Sequence, residues 1–268
     1  MGRKLSRVVR WAPKSFEETE DAMSQAHISI IGRFDPEYAP HVATREAIIH
    51  AEKAWGTVLN TRWIIPDLMH DVEAAMEGTL GALIAPRNPK SPRQLWPEIL
   101  GALTWLRERN LPTLALEYGY HHMLIEVARS LAGLPQANSS AYDEQTADPV
   151  ITPLDHASQP IDKFHPELVD FEIRPDTALA KAYGAPGVQR ESFRGHYALN
   201  PDYVSTFEEN GALVSARGFL GGTTFPAAIE LPDRAFHIGV AWLPQNRSRS
   251  GSPHPLVNAF VGAVLAHS

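Results

Sequence analysis

A chain of 268 residues, 44% hydrophobic and 21% charged, is long enough for one α/β domain with a sizeable core and too apolar to be disordered. Its formal net charge of -7 argues against a binder of nucleic-acid backbone, which needs concentrated positive charge. The lack of any cysteine excludes disulfides, thiolate metal sites and a thiol nucleophile, and no stretch approaches the roughly 20 apolar residues of a membrane-spanning helix.

The first residues read as a solvated polar extension over 1–26, with Arg3, Lys4, Arg7 and Arg10 followed by Glu17, Glu18, Glu20 and Asp21. No apolar segment follows the basic start, so a cytoplasmic protein is expected, with a single domain over 27–268. HISIIGRF, from His27 to Phe34, is a buried first strand; Thr44 to Trp55 is a helix that stops at Gly56; LNTRWII is a second strand running to Pro66. Asp67 is the expected N-cap of a helix through Met76, closed by Gly78. LGALIAP (Leu80 to Pro86) reads as a strand, and Leu95, Ile99, Leu103 and Leu106 line one stripe of a helix from Leu95 to Arg109. LPTLALE (Leu111 to Glu117) is the next strand, followed by a sharp turn at Tyr118, Gly119 and Tyr120 and a helix from His121 to Leu131. Strands without alternation, joined by amphipathic helices, predict a doubly wound, mostly parallel sheet covered on both faces.

The second half has a different texture. Leu134 to Pro166 is rich in Asp, Ser, Gln and Pro and reads as a long surface excursion. SFRGHYAL, ALVSARGF, PAAIELP and AFHIGVAW are strand candidates, interrupted by a short helix at Asp202 to Glu209, so an antiparallel extension is expected. A helix from Pro255 to Ala266 follows. There is no internal repeat, no GxGxxG and no GxxxxGK[ST] phosphate loop.

The segment LPTLALEYGYHHMLIEVARSLAGLPQANSSAYD resembles the strand, elbow and helix that carry the nucleophile in the amidotransferase domain of CTP synthase, a class I glutamine amidotransferase. GHYALNP, FHIGVAWLPQNRSR and PHPLVNAFVGAVL extend the resemblance over roughly Ile28 to Leu265, nearest to small stand-alone proteins related to that C-terminal domain. The resemblance implies a class I amidotransferase-like, flavodoxin-like fold. It also implies that the residues of glutamine chemistry are replaced. Glu117 stands where the family has its cysteine, and Leu243 and Gln245 stand where it has its His-x-Glu dyad, around Pro244. Arg87 falls on an oxyanion-hole glycine, His121 on a glutamine that touches substrate, Ala141 on a glutamate and His196 on an arginine. Glutamine hydrolysis needs a thiolate, a base and aimed backbone donors, so a conventional glutaminase is not expected.

Two readings of Glu117 stand side by side. In one it is the general acid or base of a small-molecule lyase, isomerase or hydrolase, assisted by His121 and His196; in the other it is a structural anion paired with Arg87, in a non-catalytic ligand-binding or regulatory pseudoenzyme. Only one of His121 and His122 can face the cleft, and the resemblance makes it His121. Arg87, Asn88, Tyr118, Gly119, Tyr197 and Gln245 are the candidate substrate contacts, with Tyr120 expected to floor the cavity beside Tyr118 and Tyr197. Glu117, His121 and His196 are ligand types that suit zinc or iron, but no HExxH-type motif accompanies them and neither a metal nor a cofactor is predicted. The expected partner is a small molecule, either anionic or an amino or carbonyl compound, with no nucleic acid and no membrane; a homo-oligomer is left open.

Overall fold

The computed structural model describes residues 26–154 and 167–267. The predicted polar extension, but for residue 26, and residues 155–166 of the predicted excursion lie outside the described residues.

The first half winds as the sequence predicts. Strands β1 (His27–Ile31), β2 (Asn60–Ile64), β3 (Thr79–Ile84) and β4 (Thr113–Leu116) pair in parallel, in the order β2-β1-β3-β4. Every residue of β1 and β4 is buried, the mark of a sheet covered on both faces. The covering helices are α1 (Ala39–Trp55), α3 (Pro97–Glu108) and α4 (Tyr118–Ser130). α3 begins on Pro97 and α1 has Pro40 as its second residue, and in both the missing N–H sits where the first turn has no acceptor for it anyway. Gly56 ends α1 at φ 67°, a left-handed position that closes the helix at little steric cost.

One predicted cap is displaced. Residues Pro66–Leu68 form a 3-10 turn, and the cap is Asp71, whose carboxylate accepts from Ala74 N at 3.3 Å to start the short helix α2 (Val72–Ala75). Pro66 initiates the turn that carries Asp67, so Asp67 cannot cap a helix through Met76.

The second half completes a nine-stranded sheet. Strands β7 (Glu167–Ile173), β8 (Gly187–Phe193), β10 (Leu213–Leu220) and β11 (Thr223–Glu230) pair antiparallel in the order β11-β10-β7-β8. Strand β12 (His237–Val240) joins the two halves, parallel to β4 and antiparallel to β11. Short helices α5 (Ala178–Tyr183) and α6 (Val204–Glu209) punctuate this half, and α7 (Pro255–His267) packs against α1.

The excursion is not wholly on the surface. Its residues include β5 (Ala137–Ser139) and β6 (Asp148–Pro153), which form a second, three-stranded sheet with β9 (Tyr197–Leu199). Ala137, Ser139, Val150 and Ile151 have no exposed surface, so this small sheet is packed into the body. SFRGHYAL likewise divides into the end of β8 and all of β9, with the turn Arg194–His196 between them. That turn, and the loop after β5, are what the fold lays over the ends of the parallel strands.

Candidate functional site

A cleft opens where β3, β4 and β12 end, the position at which α/β sheets place ligands. Arg87 and Pro89 come from the loop after β3, Glu117 and Tyr118 from the β4–α4 junction, and Ala241 follows β12. His121 comes from the first turn of α4, Ala141 and Tyr142 from the loop after β5, and Arg194 to Tyr197 from the β8–β9 connection. The free volume inside is about 40 Å³, room for about three to four waters at roughly 10–15 Å³ each.

Glu117 sits on a strained elbow. Its φ of 50° and ψ of -102° lie outside the regions an L-residue prefers, so the strand turns into α4 within one residue. The turn works only if α4 can press onto β3. Gly119 permits this, since a Cβ there would lie 2.5 Å from the Ile84 carbonyl oxygen. The predicted sharp turn at Tyr118–Tyr120 is therefore the first turn of the helix itself, and the bend is concentrated at Glu117.

The carboxylate is held by three donors. Oε2 accepts from the backbone N–H of Arg87 and from that of Tyr118, both at 2.9 Å, and Oε1 lies 3.5 Å from Arg194 Nη2. Burial pushes this carboxyl's pKa up, but Arg194, the N–H of Arg87, His121 and the N–H of Tyr118 outweigh it and hold the pKa below its ordinary value. The side chain is an anion well below neutral pH.

The expected Arg87–Glu117 ion pair is replaced by another. Arg87 serves Glu117 through its backbone, while its guanidinium Nη1 donates to the carbonyls of Asn88, Pro89 and Ser91 at 3.2, 3.1 and 2.6 Å. The charge partner is Arg194, with 7% of its side chain exposed, which also donates to the Arg87 carbonyl. Nothing in the periodicity of SFRGHYAL, read as a single strand candidate, singles out Arg194.

His121 faces the cleft and His122 turns away. The His121 Nε2–H donates to Tyr197 O at 3.3 Å, leaving Nδ1 to accept from the Tyr142 hydroxyl at 3.5 Å. Burial lowers its pKa against the opposing pull of Glu117, so the imidazole is neutral. His122, fully buried, accepts from Trp96 N and donates to Tyr118 O, and burial pushes its pKa down to about 4. The Tyr118 hydroxyl donates to Gln94 O and accepts from Gln94 N, which ties the loop after β3 to α4.

No family model matches the chain. The CTP synthase of Archaeoglobus fulgidus is 29% identical over 281 residues, covering 99% of this chain and 50% of that protein. Those of Cyanothece sp. and Rubrobacter xylanophilus are each 32% identical, over 255 and 260 residues, with 90% and 91% of this chain and 44% of each relative covered. The chain thus spans about half the length of the curated relatives it matches. Among solved structures, a Trypanosoma brucei CTPS glutaminase domain with bound acivicin superposes with a TM-score of 0.80 at 19% identity, over 90% of this chain and 94% of that one. PurLQS from Thermotoga maritima gives 0.55 at 12% identity, over 90% and 98%. The chain is a class I glutamine amidotransferase-like domain related to CTP synthase.

Within this amidotransferase-like cleft, Glu117, His121, His196, Arg87, Tyr118 and Tyr197 come together. Three of the proposed substrate contacts do not reach it. Asn88 spends its amide on Asp35 and on Lys90 N, shaping the loop after β3. Gly119 is a packing residue against Ile84. Gln245 is 2% exposed in the turn Pro244–Arg247, with neither amide atom paired among the described residues. Tyr120, expected at the floor, is wholly buried and packs near Gly239. Among the described residues no group of three or more His, Asp or Glu could hold a metal, and no helix is long and apolar enough to cross a membrane.

Proposed function

We propose that this domain is a small-molecule-binding relative of the glutaminases that has exchanged catalysis for a fixed anion. One observation supports the reading above all: Glu117 Oε2 lies on the two backbone N–H groups, of Arg87 and Tyr118, that flank the elbow. Donors so placed in an acyl-transfer enzyme would bind the oxyanion that develops in the transition state. Here the protein's own carboxylate satisfies them. With no cysteine in the chain and Leu243 where the resemblance puts the base, nothing supplies an activated nucleophile.

A general acid must carry a proton at working pH, and a general base must be able to gain one. A carboxyl held ionised by Arg194 and two N–H groups has no proton to give, and as a base it is weakened because both of its oxygens are already engaged. The enzymatic alternative, a lyase, isomerase or hydrolase, draws its support from His121, a neutral imidazole at the cleft whose Nδ1 faces a tyrosine hydroxyl. The discriminating measurement is ammonia release from glutamine by the purified chain, together with turnover of carbonyl and amino compounds by wild type, Glu117→Gln and His121→Ala. We expect no ammonia above background and no turnover; activity that either substitution abolishes would return the domain to the enzymes.

A further inference from the structure

Strand β8 ends the nine-stranded sheet on one side, and part of its outer edge is bare. Arg174 N donates to Ser215 O at 2.9 Å, so along β7 the even-numbered residues aim their N–H and C=O groups at β10 and the odd-numbered ones at β8. The register sets Phe171 opposite Gln189 and Val169 opposite Glu191, which leaves the backbone groups of Val188, Arg190 and Ser192 on the outer side. Ser192 agrees, since its carbonyl accepts there from Leu243 N at 2.8 Å. The N–H and C=O groups of Val188 and Arg190 have no such partner among the described residues.

Proteins commonly protect an open edge with proline, lysine or a bulge. β8 carries neither residue, and its pairing with β7 runs from 187 to 193 without a register shift, unlike that of β10 with β11. Val188 is 62% exposed beside the free groups. The edge is a template onto which a further strand can add.

The sequence of β8 favours its own copy as that strand. A two-fold axis through Gln189 sets Val188 against Arg190 of the second copy, twice, and each of these pairs exchanges two backbone hydrogen bonds. Centring on Arg190 would instead oppose two arginines and bring Val188 against Ser192, whose carbonyl Leu243 already occupies. With the axis at Gln189, the two glutamine amides face each other, and an amide both donates and accepts. Charge fits as well. On the exposed face Arg190 pairs with Asp170 at 3.7 Å, while Glu172, the β7 neighbour of Val188, has no ion pair among the described residues. Arg190 of the second copy would lie two strand spacings from that Glu172, about 9–10 Å between backbones and within reach of two extended side chains.

We propose that two copies of this chain join edge to edge through β8, antiparallel and centred on Gln189, so that one sheet runs through both. Four backbone hydrogen bonds and two valine side chains make a small contact beside the roughly 1,600 Å² of a standard interface, so the pair dissociates on dilution. The strand that makes the contact runs on into the turn Arg194–His196, so each cleft is walled by a segment next to the joint.

The test is sedimentation velocity on the full chain from micromolar to submillimolar concentration. Wild type gives the mass of two copies at the top of the range and of one at the bottom. Val188→Pro, which removes an outward N–H and leaves the ladder with β7 intact, stays single throughout. Val188→Lys, which sets lysine against arginine, also stays single, and Val188→Lys combined with Arg190→Glu, which turns each repulsion into an attraction, regains the two-copy mass. That rescue separates loss of pairing from loss of folding. A wild type that is single at every concentration, whether its edge stays open or another segment of the chain covers it, overturns the proposal. So does a two-copy mass that survives Val188→Pro, or a double variant that fails to regain it.

Discussion

Replacing Glu117 by glutamine removes one charge and almost no volume. The amide oxygen can still accept from Arg87 N and Tyr118 N, but two charge-assisted bonds become neutral ones, a loss of about 1 kcal/mol each. Arg194, with 7% of its side chain exposed, loses its counter-ion while keeping its bond to the Arg87 carbonyl, which adds about 1–2 kcal/mol, less than the full cost of breaking a buried pair. The total is about 3–4 kcal/mol, or a Tm lower by roughly 6–16 °C for a domain of this size. The pH dependence carries the sign. A carboxyl whose folded pKa is depressed contributes stability that is fully present above its unfolded pKa, near 4.3, and is lost as pH falls through the folded value. The gap between wild type and Glu117→Gln is therefore widest at pH 7 and closes as pH drops below about 4. Urea denaturation at pH 7, 5, 4 and 3 measures it. A variant within about 0.5 kcal/mol of wild type at pH 7, or a gap that widens on acidification, would refute the fixed-anion argument.

Three further outcomes follow from the same geometry. Arg194→Met should cost about 3–5 kcal/mol, because it strands the Glu117 charge, whereas Arg87→Met should cost only about 1–2, because the backbone N–H stays; urea midpoints that reverse this order would restore Arg87 as the charge partner. Glu117→Cys should release no ammonia from glutamine, since no base is supplied with the thiol; ammonia that disappears when His121→Ala is added would identify His121 as that base. Gly119→Ala should destabilise the domain by at least about 2 kcal/mol in thermal denaturation, because its Cβ would meet the backbone at Ile84; an unchanged Tm would mean that α4 is free to shift.

The parallel half of the fold was legible because its signals are local. β1 and β4 are rich in aliphatic and β-branched residues, and Gly56 marks a helix end by its own backbone chemistry, whereas the helix expected from Leu95 starts only at Pro97. The segment after Leu134 was misread because β5 has three residues and β6 carries Asp148, Pro149 and Pro153, so composition pointed to loop while pairing with β9 made strand. β7 was overlooked although ELVDFEI alternates buried and exposed residues, a period of two that was there to be counted. At the site, the resemblance led to Glu117 and His121. It could not lead to Arg194, because a partner 77 positions away is fixed by how β8 turns into β9 and by nothing within either segment. Gln245 was misplaced for a related reason: matching a family position locates the backbone, and the side chain then follows its own packing.

The place of β12 bears on how the chain comes together. β12 lies between β4, which ends at Leu116, and β11, which begins at Thr223, so the sheet is continuous only once residues 237–240 have been added. Until then β4 presents an unpaired edge, with its N–H and C=O groups free to recruit a strand from elsewhere. Closing that gap brings together segments more than 110 residues apart, which makes it a slow, high-contact-order step. During synthesis on the ribosome, the βα half has emerged and can collapse well before the strand that completes it, and that interval is when the nascent domain is most exposed to aggregation and to chaperones that recognise open strands.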